Sequence, residues 1–118
     1  MSANDTAISE MRKKDRIDVT EVVMVIDRPT GKPIGQLVNI SEEGIMIMGS
    51  QPIEENCILQ LTLTFDNTVN AKPEINIGVE SLWSHTGSDQ AQFWTGFYII
   101  DISEQDLARI REMTEQNQ

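Results

Sequence analysis

The sequence predicts an all-β domain, a six- to seven-stranded antiparallel β-barrel or curled sheet closed off by a C-terminal α-helix. Three observations predict it. Apolar, largely β-branched residues gather in short runs. Pro, Gly, Asn and Asp gather between those runs. A helical apolar period emerges only after Ser103. The 118 residues leave room for one domain with a single modest core.

The elements follow in order. Residues 1–10 are polar and without period, and they read as a flexible N-terminal arm ahead of a domain spanning residues 11–115, with 116–118 as a disordered end. Val19 to Asp27 is β-branched and reads as the first strand. Arg28-Pro29-Thr30-Gly31-Lys32-Pro33 supplies a reversal, and Ile34 to Ser41 completes a hairpin. A tight turn at Glu42 to Gly44 leads into a short strand, Ile45 to Met48, and then a loop through Pro52. Cys57 to Phe65 alternates most clearly, with Leu59, Leu61, Leu63 and Phe65 on one side and Gln60, Thr62 and Thr64 on the other. After a polar break at Asp66 to Pro73, Glu74 to Ser84 alternates through Ile75, Ile77 and Val79, then loses phase before Leu82 and Trp83, as a bulge would cause. His85 to Gln92 reads as a loop, and Phe93 to Ile102 as the last strand, with Gly96 placed where another backbone passes close. Ser103 fits a helix N-cap; Glu104 and Asp106 are acids in the first turn; Leu107, Ile110 and Met113 share one face. Asp106 stands where the second half of a capping box would be.

Composition narrows the chemistry. The formal net charge of −10 repels polymeric nucleic acid. Four of the nine Lys and Arg fall together at Arg12, Lys13, Lys14 and Arg16, a concentrated basic spot that suits a small anion or, more blandly, makes a solvated tail. No run approaches the roughly 18 apolar residues of a membrane helix, and Met1 to Met11 lacks a secretory pattern. The single cysteine, Cys57, forms no internal disulfide and reads as a small buried hydrophobe. A soluble protein of the reducing cytoplasm is therefore expected. The one histidine, His85, has no second histidine for a metal pair and no nucleophile turn beside it. No glycine-rich phosphate loop is present. No catalytic residue, metal or cofactor is expected.

Two patterns remain. Arg12 and Arg16 make an RxxxR spacing, and Asn39-Ile40-Ser41-Glu42-Glu43-Gly44 makes [DN]xSxxG. Arg offers a planar fork of donors that fits a phosphate or the O6/N7 edge of guanine. Asn39 and Ser41 are two apart on a strand, so both point outward while Val38 and Ile40 point in to the core. The Asn39 carbonyl could then accept from a guanine edge, the Ser41 hydroxyl could reach a phosphate or base, and Gly44 could supply a positive φ or a close backbone approach. The alternative is that Asn39, Ser41 and Gly44 are only turn chemistry, which leaves the Arg pair unexplained.

Together, in this order, the two patterns resemble the signature motifs of the PilZ domain family, receptors for cyclic di-GMP. Leu82-Trp83-Ser84, and Thr95-Gly96-Phe97 followed by a helix, resemble that family's layout too. The resemblance covers about residues 11 to 115. It implies a PilZ-type barrel and a cyclic di-GMP site at Arg12, Arg16, Asn39, Ser41 and Gly44. Met11, Lys13, Glu43 and Trp83 stand as further contacts. Trp83 reads equally as a base-stacking surface and as a core or edge residue, whereas Trp94 and Tyr98 read as packing residues and Met24, Met46, Met48 and Met113 as core filler. Many members have Gly-Gly where this chain has Glu43-Gly44, and the Glu43 carboxylate weakens binding of an anion unless it points away. The function implied is a cytoplasmic receptor or adaptor that changes conformation on binding and signals through an unidentified protein, as monomer or homodimer, in motility, attachment or exopolysaccharide control. The alternatives are a PilZ-fold interaction module that no longer binds nucleotide and, more remotely, a small hydrolase using His85.

Overall fold

The computed structural model describes residues 16–65, 74–87 and 91–116, and the expected flexible arm, with Met11, Arg12 and Lys13, lies outside them. Among the described residues there are seven strands: β1 (Ile17–Asp18), β2 (Val23–Asp27), β3 (Lys32–Ile40), β4 (Gly44–Gly49), β5 (Ile58–Phe65), β6 (Glu74–Thr86) and β7 (Phe93–Ile102). One helix follows, α1 (Glu104–Gln116). The strands run β3-β2-β5-β6-β7-β4, and pairing of β4 back onto β3 closes a six-stranded antiparallel barrel with β1 outside it on β3. The expected barrel and terminal helix are therefore present. Among the described residues no helix is long and apolar enough to cross a membrane.

Alternation builds the core. Val23 and Val25, Ile45 and Ile47, Leu61 and Leu63, Ile75 and Ile77, and Phe97 all point inward with almost no exposure. Burying each such side chain contributes about 1.5–3 kcal/mol against the entropy of ordering the chain. The helix adds Ile110, fully buried, with Met113 packed beside it. Its N-terminus is capped as the sequence predicts, the Asp106 N–H donating to Ser103 Oγ at 3.1 Å. Asp106 does not complete a capping box: it accepts from the Asn76 N–H and pairs with Arg109, fastening the helix to β6.

Several expectations need correction. The first strand is not continuous from Val19. Ile17–Asp18 pairs with one end of β3 and Val23–Asp27 with the other. Val19 still bonds β3 through its N–H, to the Val38 carbonyl at 2.9 Å, and residues 20–22 bow out, because Ile17 to Met24 spans more residues than the matching stretch of β3, Ile40 to Gln36. His85 is not in a loop, since β6 continues through Thr86. Cys57 is only partly buried, its thiol directed at the Glu55 carbonyl. Met24, Met46 and Met48 alternate with the core residues of β2 and β4 and stand on the outer face, while Met113 does pack on the core. The bulge in β6 is where the lost phase put it, with Leu82 between the paired residues Ser81 and Trp83.

Candidate functional site

The site is built where the end of β3 turns into β4 and β1 runs alongside. A second bulge decides its register. Between Leu37 and Asn39 the pairing with β4 shifts, so that Leu37 and Ile40 are the buried residues and Val38 is not. The expected inward Val38 is thus replaced by Leu37, and Asn39 keeps its place on the outer face.

Ser41 is a correction. Strand β3 ends at Ile40, and Ser41 is 2% exposed instead of pointing outward beside Asn39. Its hydroxyl accepts the N–H groups of Glu43 and Gly44, both at 3.2 Å, and donates to the Gly44 carbonyl at 3.4 Å. This is the turn chemistry that the motif also allowed: a short hydroxyl satisfies backbone donors that the strand ladder leaves over. Gly44 has no positive φ, and its role is close approach instead. A Cβ there would lie 2.4 Å from the Phe97 carbonyl oxygen and 3.5 Å from Arg16 Nη2.

Arg16 lies over this turn. Its Nη1 makes a long hydrogen bond of 3.4 Å to Asn39 Oδ1, and its Nη2 hangs above Gly44. Ile17 pairing with Ile40, and Asp18 with Asn39, sets that position. The two motifs, separate in sequence, thus meet in space through Arg16. Among the described residues the ion pairs are Arg109–Asp106 and Arg111–Glu42, and Arg16 belongs to neither, so its charge faces an exposed surface. Glu43 is exposed, and its backbone carbonyl accepts from the Ile99 N–H at 2.8 Å. Glu42, which the motif leaves unspecified, reaches Arg111 of α1 at 3.0 Å and ties the turn to the helix. No sequence signal marks that pair, because the two residues meet only once the helix docks.

The aromatic surroundings follow from register. Asn39 pairs with Met46, Met46 with Gly96 and Gly96 with Trp83, so one outer row crosses β3, β4, β7 and β6. At about 4.8 Å per strand, Trp83 lies roughly 14 Å from Asn39. What passes close to Gly96 is a side chain, not a backbone: the Trp83 indole rests where a Gly96 side chain would be, 2.4 Å from the ideal Cβ position. Trp83 also stacks with His85 at 5.1 Å between ring centroids. The hydroxyl next to His85, that of Ser84, bonds the Thr95 hydroxyl at 3.0 Å. Tyr98 is no packing residue. It is 46% exposed and pairs directly with Gly44. The alternation of β7, with Phe97 and Ile99 inward, points Tyr98 outward in the sequence itself, but only the β4–β7 register sets it beside Gly44.

Comparison with known proteins agrees with this architecture. The chain is similar in structure to the Bacillus subtilis inhibitor of motility, MotI/DgrA, with a TM-score of 0.69 and 13% identity over 86% of this chain; it spans about half of that protein, 48%. It is also similar to the PilZ domain of YcgR from Escherichia coli, solved with c-di-GMP, with a TM-score of 0.57 and 8% identity over 83% of this chain and 84% of that one. At such identities the likeness is one of fold. No curated protein sequence matches the chain. The model of the PilZ domain matches residues 10–116, nearly the whole length, and the chain belongs to the PilZ domain family.

Proposed function

We propose that this chain is a receptor for cyclic di-GMP that binds the nucleotide without transforming it and signals through a partner protein in the cytoplasm. The observation that carries this reading is the position of Arg16, whose guanidinium spans Asn39 and Gly44. A donor fork above a glycine, next to an amide that can read a base edge, is chemistry for a phosphate and a guanine held together. Arg12, ahead of Arg16, supplies a second fork for the other phosphate, and Lys13 and Met11 flank it. Ser41 then contributes by shaping the turn. The ligand solved with the YcgR domain is of this class, and the motility inhibitor makes control of motility the first process to examine.

Isothermal titration tests the reading directly. Cyclic di-GMP is expected to give saturable heat, with GTP and cyclic di-AMP binding much more weakly. No heat with cyclic di-GMP at about 100 μM would overturn the receptor reading and leave a PilZ-fold module that works through protein contacts alone.

A further inference from the structure

Tyr98 occupies a place that its neighbours do not explain. It sits between two fully or nearly fully buried residues, Phe97 and Ile99, yet turns 46% of its surface outward. Among the described residues its ring stacks on no other aromatic and its hydroxyl makes no hydrogen bond. Exposed Leu82 and Ile100 on the same strands are unremarkable singly, since folded surfaces carry many apolar side chains. Tyr98 differs in its register. It pairs directly with Gly44, the glycine that Arg16 lies over and that lets the turn approach the Phe97 carbonyl closely.

The geometry bounds their separation. Arg16 Nη2 is 3.5 Å from the position of a Gly44 Cβ, and directly opposed Cβ atoms in such a pair are about 5 Å apart. The root of the phenol ring is therefore within roughly 9 Å of the guanidinium. A planar cation and an aromatic ring at that separation stand on either side of Gly44, and both surfaces stack on purines.

We propose that Tyr98 is a ligand-contacting residue that forms the wall of the site opposite Arg16 and stacks on a purine base of the nucleotide. This rests on the cyclic di-GMP reading, whose phosphate contacts it complements. Gly44 acts as the floor of the site. Trp83, with its indole set on Gly96 and its ring against His85, borders the site from the side of β6.

The test is titration of cyclic di-GMP into the full chain and into Tyr98→Ala, Tyr98→Leu and Tyr98→Phe. Circular dichroism and thermal melting verify folding, and exposure of the side chain predicts that all three fold. Tyr98→Ala is expected to raise Kd about fivefold or more, the loss typical of one base–aromatic stack. Tyr98→Leu, which keeps apolar bulk but no ring face, should resemble Ala, and Tyr98→Phe should stay within about twofold of the parent. Equal affinity in the parent and Tyr98→Ala would overturn the stacking role while leaving the receptor reading intact. Equal weakening in Phe and Ala would overturn stacking in favour of a hydroxyl contact. A parent chain that binds no cyclic di-GMP would overturn both, and that outcome is visible in the first titration.

Discussion

Arg16 and Ser41, one from each of the two patterns, divide the work between them. The Arg16 guanidinium is exposed and held by a single long contact to Asn39, so it contributes little to folding and remains available to an anion. Arg16→Ala is expected to weaken cyclic di-GMP by about 2 kcal/mol or more, roughly thirtyfold in Kd, because a charge-assisted bidentate contact is lost. Arg16→Lys should recover only part of this, since an ammonium is a point charge without the planar fork. Titration of both variants checks the expectation; full affinity in Arg16→Ala would place the site elsewhere.

At the scale of elements, the Ser41–Gly44 turn is the joint of the molecule. The Ser41 hydroxyl holds two backbone N–H groups, the Glu43 carbonyl holds β7, and the Glu42 carboxylate holds α1. Removing the hydroxyl strands buried donors. Ser41→Ala is therefore expected to cost about 1–3 kcal/mol of stability with no ligand present, read as a lower midpoint in urea denaturation. Arg16→Ala should leave that midpoint nearly unchanged. The opposite pattern would mean that Ser41 serves the ligand and not the turn.

For the whole molecule, closure matters. Pairing of β4 with β3 closes the barrel, so the core residues of all six barrel strands face one interior, and Ile110 of α1 is buried in the same core. The site lies on the outside of this closed barrel, at the turn that Glu42 ties to the helix. Ligand should therefore stabilise the fold by mass action without rebuilding it. A concentration one hundred times Kd is worth about 2.7 kcal/mol, or a rise of roughly 10 °C in Tm. The net charge of −10 adds that polymeric DNA should give no such rise. Scanning calorimetry with each ligand distinguishes them.

The alternation of Cys57 to Phe65, the phase slip before Leu82, the Ser103 cap and the order of the two motifs were all legible along the chain. Each depends on residues close together in sequence. What could not be read there was the bulge at Val38, the bow of residues 20–22, the inward turn of Ser41 and the outer-face seats of Met24, Met46 and Met48. These depend on which strand lies alongside, and a single residue of slip moves a side chain to the other face. Periodicity and turn chemistry by themselves determined the barrel, its helix and the residue types able to hold a nucleotide. Only the tertiary structure decided that Arg16 rests over Asn39 and Gly44 and that Tyr98 stands across from them, because such contacts are set by register between strands distant in sequence.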